Sequence, residues 1–154
     1  MIAKCLNRLA RVIEIVIGIL FLILTIVVVA EIFSRYVLGN SIKGSFELAR
    51  YLVIWLCFLG TSQGIRRAEL INITIVKNAL PPQLAKAVTL TTMIFMAAFL
   101  LLIIRYGSEV VYAVIPQMSP SLNVSMAYPY LALPVGSFLM LIFLVEAFVK
   151  ILKQ

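Results

Sequence analysis

The chain contains four long stretches in which charged residues are rare or absent. They cover residues 12–30, 51–65, 87–104 and 110–145. The hydrocarbon core of a bilayer is about 30 Å thick, and a helix needs roughly 20 apolar residues to cross it. The first three stretches approach this length when flanking residues are added, because Arg and Lys side chains at a helix end can extend to the headgroups. We interpret these three stretches as membrane spans.

The fourth stretch is too long for one span, and its first half contains helix breakers. These are Pro116, Pro120, Pro129 and Pro134, accompanied by several serines. Proline removes a backbone donor and clashes with the preceding turn of a helix. We therefore expect residues 114–129 to form a loop or a shallow re-entrant segment, and the fourth helix to begin late or to kink near Pro134.

The pattern predicts an all-α integral membrane protein with four transmembrane helices in a single membrane domain, residues 1–154. The expected spans are about 12–34, 47–66, 86–105 and 130–149. Between the second and third spans, polar and apolar residues alternate over residues 68–82, AELINITIVKNALPP. This segment is too short and too polar to cross a membrane. It predicts a short amphipathic segment on the cytoplasmic surface, with a strand as the alternative.

Composition supports the membrane interpretation. Apolar residues make up 64% of the chain, charged residues only 12%, and the mean hydropathy is +1.14. In soluble proteins, charged residues alone approach a quarter of the sequence. The composition therefore excludes an ordinary soluble domain.

The positions of the basic residues explain the net charge of +7 better than binding to nucleic acid does. Nine basic residues flank the spans on one side, and four lie on the other side. The nine are Lys4, Arg8, Arg11, Arg66, Arg67, Lys77, Lys86, Lys150 and Lys153. Loops rich in Lys and Arg stay on the cytoplasmic side of a membrane. We expect both termini to be cytoplasmic and no nucleic-acid partner.

One face of the second span consists of small residues. Gly60 and Gly64 lie four positions apart, and Val53, Cys57 and Thr61 share their face. This spacing allows two helix backbones to approach closely in lipid, where apolar surface alone does not drive association. The face predicts a packed helix, from this chain or from another subunit.

Two pairs of charged residues lie where the first span ends and the second begins. Glu31 and Arg35 are spaced i, i+4, and Glu47 and Arg50 are spaced i, i+3. A short loop joins the two helices, so one interpretation is a four-charge cluster linking them. The alternative is two solvated surface pairs worth less than about 1 kcal/mol.

Other polar and aromatic residues are expected near the membrane surfaces. Trp55, Arg66, Arg67 and Tyr130 are predicted to anchor helix ends at the interfaces. A further acid, at position 14, follows Arg11 by one turn. We expect it to pair with Arg11 or with the lysine at position 4. The alternative is that Glu14 is a proton-coupled site inside the membrane.

The sequence lacks the residues that most catalytic and metal sites need. It contains no histidine and no aspartate, and its two cysteines, Cys5 and Cys57, are far apart. A Ser-His-Asp arrangement is impossible without His or Asp, and the cysteines form no disulfide framework. We expect no enzyme activity, no metal and no cofactor.

Several motifs together resemble the small membrane subunit of tripartite ATP-independent periplasmic (TRAP) transporters, the DctQ type. The matching features follow in chain order. They are Arg35, FELAR at 46–50, Trp55, FLG at 58–60, Arg66-Arg67, Ile71-x-Ile73 to Leu80-Pro81, Ser119-Pro120-x-Leu122 and YLALPVG at 130–136. The resemblance covers roughly residues 35–136.

The resemblance implies a four-helix subunit in the inner membrane of a bacterium or archaeon. Such a subunit would brace a large multi-span permease subunit that carries the sodium and substrate sites. A periplasmic substrate-binding protein would deliver an organic acid, such as a dicarboxylate or sialic acid. The family commonly has other residues at the positions of Phe46, Glu47, Leu70 and Thr74, so roles of those side chains are not carried over.

Two other functions stay open on the residues alone. One is a small self-assembling, proton-coupled multidrug exporter that uses Glu14. The other is a redox or assembly factor, which the two separated cysteines support only weakly.

Overall fold

The computed structural model describes residues 2–67 and 82–152 of the chain. The helices are α1 (Ile2–Val37), α2 (Ser45–Arg66), α3 (Pro82–Val114), α4 (Ala127–Tyr130) and α5 (Ala132–Leu152). Four helical segments of the described residues are long and apolar enough to cross a membrane. This confirms the predicted all-α fold with four transmembrane helices. The amphipathic segment expected between α2 and α3 lies outside the described residues.

Helices α1 and α3 are longer than the expected spans. Helix α1 begins at Ile2 and ends near Gly39, which adopts a left-handed backbone with φ of 69°. Glycine adopts this conformation without the steric cost of a Cβ and so favours helix termination. Helix α3 continues past residue 105 to Val114 because no breaker occurs before Pro116, which disfavours helical geometry at Ile115.

The last span begins with the short helix α4 and continues as α5. Pro134 lies in the first turn of α5, where a missing backbone N–H costs nothing. The helix therefore begins two residues before Pro134 rather than being broken by it. The Val135 N–H donates to the carbonyl of Leu131 at 3.2 Å, which joins α5 to the end of α4.

The four long helices form an open row rather than a closed bundle. The order across the row is α1, α2, α5, α3, so α5 lies between α2 and α3. Among the described helices, α1 packs only on α2, and α3 packs on α5 and on the short α4. The two end helices do not meet. Large apolar surfaces of α1 and α3 consequently face outward, as expected for helices that meet lipid or another subunit.

The core of the row centres on α5. Its residues Phe143 and Leu144 are almost completely buried, and they meet Leu59 of α2 and Met93 of α3 within one cluster. Ala10 at the start of α1 joins the same cluster. The position of α5 therefore determines how the other helices are arranged.

The closest approach between helices occurs at Gly136 of α5. A Cβ added at this glycine would lie 2.5 Å from the Cβ of Phe58 in α2. At Gly107 of α3, an added Cβ would lie 3.3 Å from the Cβ of Leu133. Glycines at these two crossings allow α2 and α3 to approach α5 closely, which is the main source of helix association in lipid.

We expect Gly136→Ala to destabilise the isolated chain because the new methyl group has no room beside Phe58. Overpacking of this kind lowers the free energy of unfolding by about 1–3 kcal/mol. The measurement is denaturant unfolding in detergent, followed by circular dichroism. Gly18→Ala is the matched control, because a Cβ at Gly18 meets nothing within 4 Å. Equal effects of the two substitutions would contradict the close approach at Gly136.

Candidate functional site: the two ends and the free faces of the row

We distinguish two ends of the row. The loop end contains the connections 38–44 and 115–126, and the basic end contains the start of α1 and the end of α2, with Arg8, Arg11 and Arg67. Long side chains at both ends meet partners from other helices.

At the loop end, Glu31 of α1 is buried inside a pocket of hydrogen-bond donors. The hydroxyl groups of Ser41 and Ser45 donate to its carboxylate at 2.5 and 2.7 Å, and the Ile42 N–H donates at 2.9 Å. Arg35 donates to the same carboxylate at 2.7 Å and stacks over the ring of Phe46. Glu31 therefore fastens the connection 38–44 and the start of α2 to the end of α1.

Glu47 of α2 forms a separate site with the second connection. The Tyr51 hydroxyl donates to one carboxylate oxygen at 2.8 Å, and the Ser121 N–H donates to the other at 3.2 Å. Leu122, the next residue, packs against Gly44, where an added Cβ would lie 2.7 Å from Leu122 Cδ2. The connection 115–126 is thus held on top of α2.

The connection 115–126 also has internal structure. The backbones of Met118 and Ser125 form an antiparallel bridge, and the Ser119 N–H donates to the carbonyl of Val124 at 2.9 Å. Asn123 at the tip has a φ of 52°, which Asn tolerates better than most residues. This segment, expected as a loop or a re-entrant piece, is a compact loop at the end of the row.

The predicted four-charge cluster does not form as one network. Glu31 pairs with Arg35, whereas Glu47 bonds to Tyr51 and to the connection 115–126. Arg50 is exposed and is not part of an ion pair within residues 2–67 and 82–152. The sequence interpretation overlooked the serine hydroxyls and backbone N–H groups, which satisfy both acids without a link between them.

At the basic end, Arg66 joins three helices. It donates to the side-chain oxygen of Asn7 in α1, and its Nε lies 3.6 Å from the carboxylate of Glu146 in α5. Its guanidinium also lies over the Phe143 ring, 5.7 Å from the centroid. Gln63, one turn earlier, donates to the carbonyl of Ala10 at 3.0 Å. We call Asn7, Gln63, Arg66 and Glu146 the basic-end clasp.

The contacts at the basic end change the interpretation of Arg66 and of Glu14. Arg66 was expected to anchor the helix in the headgroup region, but its side chain is only 21% exposed and is held by other helices. Glu14 was expected to pair with Arg11 or Lys4, but it pairs with Arg67 of α2 at 3.0 Å. Glu14 and Glu146 both pair across helices rather than along one helix, which spacing rules within a single helix cannot reveal.

The other two expected anchors also differ in their surroundings. The indole N–H of Trp55 donates to the carbonyl of Tyr128 at 3.2 Å, so Trp55 joins α2 to α4. Tyr130 is partly exposed at the loop end. The sequence interpretation did not identify the Tyr128 carbonyl as the partner of Trp55.

The small-residue face of α2, formed by Val53, Cys57, Gly60, Thr61 and Gly64, packs against no other described helix. The side chains of Val53, Cys57 and Thr61 are exposed, and a Cβ added at Gly60 meets nothing within 4 Å. The close helix contact within the chain instead uses Gly136, which the sequence interpretation did not single out as a packing residue. The motif YLALPVG, which ends at Gly136, was the sequence feature that could have indicated this packing residue.

Among the described residues, no group of three or more His, Cys, Asp or Glu side chains is placed to hold a metal ion. Glu31, Glu47 and Glu146 are all engaged with groups of other helices or connections. What the arrangement does is to fasten helices to one another at both ends.

We expect Glu31→Gln to lower the unfolding temperature of the chain, because a neutral amide cannot accept from Arg35, Ser41, Ser45 and Ile42 as the carboxylate does. Glu109→Gln is the matched control, since Glu109 forms only an exposed pair with Arg105 at 3.7 Å. Thermal unfolding in detergent measures both. If Glu31→Gln were as mild as the control, the pocket would not fasten the two helices.

We expect Arg66→Met or Glu146→Gln alone to lower the free energy of unfolding by about 1–3 kcal/mol, because each breaks a mostly buried ion pair. The double variant should recover part of this loss. Glu14→Gln, which breaks an exposed pair, should cost less than about 1 kcal/mol. Denaturant titration of the four variants provides the measurement, and additive losses in the double variant would contradict the coupling.

The comparison with protein families matches residues 24–154 to the tripartite ATP-independent periplasmic transporters, DctQ component. A 60-residue segment is 33% identical to a protein of Haemophilus influenzae Rd whose name assigns it as a TRAP transporter small permease, covering 39% of this chain and 37% of that protein. A 130-residue segment is 26% identical to the sialic acid TRAP transporter permease protein SiaT of Haemophilus influenzae 86-028NP, covering 84% of this chain and 21% of that protein.

The chain thus spans about a third and about a fifth of the lengths of these two relatives. The family match, in contrast, includes α2, α3, α4, α5 and residues 24–37 of α1, and with them both connections at the loop end. Together with four helices suited to a membrane, this match means that the chain belongs to the DctQ family of TRAP transporter membrane subunits.

Proposed function

We propose that this chain is the small, non-catalytic membrane subunit of a sodium-coupled TRAP transporter for organic acids. Its role is to scaffold a large multi-span permease subunit that carries the sodium and substrate sites. The loop end faces the periplasm, where a substrate-binding protein delivers the substrate. Both termini lie in the cytoplasm of a bacterium or archaeon, and the membrane is the inner membrane.

The observation that carries the proposal is the unoccupied small-residue face of α2. Small residues at this spacing let a second helix approach closely in lipid, yet none of the described helices of the chain does so at Gly60. The side chains of Val53, Cys57 and Thr61 are exposed, so this face is accessible in the part of the chain that the structure describes. A helix of the large permease is the partner that we propose for it.

The length of one relative supports a large membrane partner. The segment of SiaT that is similar to this chain makes up only 21% of that protein. Most of that polypeptide therefore lies outside the similar segment, and a separate subunit would correspond to it here. The name of the relative refers to sialic acid, so we propose an organic acid of the sialic acid or dicarboxylate type as the substrate.

The polar contacts of the row support a static role. The acids of α1, α2 and α5 are used to tie helices and connections together. Among the described residues, the buried polar side chains of the long helices are Ser45, Ser62, Gln63, Ser137 and the hydrogen-bonded Glu31. A rigid brace against which a mobile transport domain works needs such fastening and needs no substrate site of its own.

The distribution of charge supports the proposed orientation. Arg8, Arg11, Arg66 and Arg67 lie at the basic end, and the positive-inside rule places such an end in the cytoplasm. The loop end would then lie in the periplasm. Its compact connection 115–126, fixed by Glu47, would offer a preformed surface to the binding protein.

We expect Gly60→Leu to leave the stability of the isolated chain unchanged, because no described residue lies within 4 Å of a Cβ added at Gly60. The same substitution should strongly reduce co-purification of the large permease, since a bulky side chain prevents close helix approach. The measurement is a pull-down from co-expressing cells, followed by sodium-dependent uptake in vesicles.

Gly18→Leu is the matched control, as Gly18 of α1 is exposed and an added Cβ there also meets nothing. It should retain the permease. Equal recovery of the permease with both variants would contradict the assignment of this face. Accumulation of a solute against its gradient by vesicles that contain only this chain would contradict the scaffold role itself.

A further inference from the structure

A long apolar groove lies on the side of α2 opposite the small-residue face. Its volume is about 660 Å³. The basic-end half of α1 forms one wall with Val12, Val16 and Leu20, and α2 forms the floor with Leu52 and Trp55.

The groove is closed toward the loop end. Leu122 and Val124 of the connection 115–126 line it there, together with Tyr128 and Pro129 of α4. Of the three polar side chains in the lining, Trp55 donates to the Tyr128 carbonyl and Tyr51 donates to Glu47, whereas the Tyr128 side chain is exposed. The groove therefore suits an occupant that is entirely apolar over this length.

The closed end distinguishes between a helix and a lipid chain. A transmembrane helix is about 10–12 Å wide and must cross the whole membrane, so the connection 115–126 would obstruct a helix that followed the groove. An acyl chain enters from one membrane surface and ends within the hydrocarbon region. The groove passes the exposed Val12 near the basic end and is lined by the connection 115–126 at the other end, so it fits an acyl chain that enters from the side of α1.

Basic side chains lie where the headgroup would be. Arg8 precedes Val12 by one helical turn and therefore lies on the same side of α1. Arg8, Arg11 and Lys4 are all exposed. Basic residues next to a membrane surface attract anionic headgroups.

We propose that the groove between α1 and α2 binds one acyl chain of an anionic phospholipid, with its phosphate at Arg8. The bound lipid fills the space beside the basic-end half of α1, which packs on no described helix other than α2. The bound lipid is therefore a structural component of the subunit.

The single tryptophan of the chain provides a direct test, because Trp55 lines the groove. The full chain is purified in detergent and titrated with phosphatidylglycerol that carries brominated acyl chains, which quench indole fluorescence at short range. We expect saturable quenching of Trp55. Quenching that rises linearly with added lipid and never saturates would overturn the proposal.

Two matched pairs of substitutions locate the occupant. Val16→Phe with Leu20→Phe fills the groove and should weaken lipid binding at least about tenfold, equivalent to 1.4 kcal/mol. Ile15→Phe with Ile19→Phe adds the same bulk to exposed positions of α1 outside the groove and should leave binding unchanged. Equal quenching in both pairs would mean that bromine reaches Trp55 from bulk lipid, and this would overturn the proposal.

The headgroup is tested separately. Arg8→Gln should reduce the preference for brominated phosphatidylglycerol over brominated phosphatidylethanolamine by several-fold, whereas Arg105→Gln at the loop end should not. If the groove-filling pair does not fold, the titration of the unmodified chain and the Arg8→Gln comparison still test whether the groove binds the lipid. No preference in the unmodified chain would contradict the role of Arg8.

Discussion

The close contact between α2 and α5 is the constraint on which the rest of the structure depends. In a bilayer, apolar side chains gain little by leaving lipid for another apolar surface, so helix order must come from close packing and polar contacts. Gly136 provides the close packing, because only a glycine fits beside Phe58. The pair of Arg66 and Glu146 provides a polar contact at the basic end of the same two helices. With α2 and α5 in contact, α1 packs on α2 and α3 packs on α5, which gives the open row.

The two ends of α2 are fastened by different chemistry. At the loop end, carboxylates of Glu31 and Glu47 accept from serine hydroxyls, a tyrosine and backbone N–H groups of the adjacent connections. At the basic end, Arg66 and Gln63 reach side chains and a carbonyl of other helices. This difference has a physical reason, because connections expose unpaired N–H groups whereas continuous helices do not. The loop end therefore suits acids, and the basic end suits long cationic side chains.

The sequence predicted what depends on neighbouring residues and not what depends on distant ones. Span number and helix class follow from apolar length. The ends of α1 near Gly39 and of α3 before Pro116 also have local causes, although both helices extend beyond the predicted spans. The insertion of α5 between α2 and α3 depends on contacts between residues far apart in the chain. The same holds for the pairs Glu14 with Arg67 and Glu146 with Arg66. Spacing rules consider one helix at a time, so they selected Arg11 and missed the cross-helix partners.

The opposite faces of α2 differ in a way that bears on how a larger assembly could form. Residues 52, 55 and 59 line the apolar groove, whereas residues 53, 57, 60 and 64 carry small side chains on the other side of the helix. Among the described residues, none lies within 4 Å of a Cβ added at Gly60, so this face can receive a closely packed helix. One that approaches the groove meets the connection 115–126, which Glu47 holds in place. The fastening at the loop end thus has a second consequence beyond stability. It leaves one side of α2 open to a full transmembrane helix and restricts the other side to an occupant that ends within the membrane.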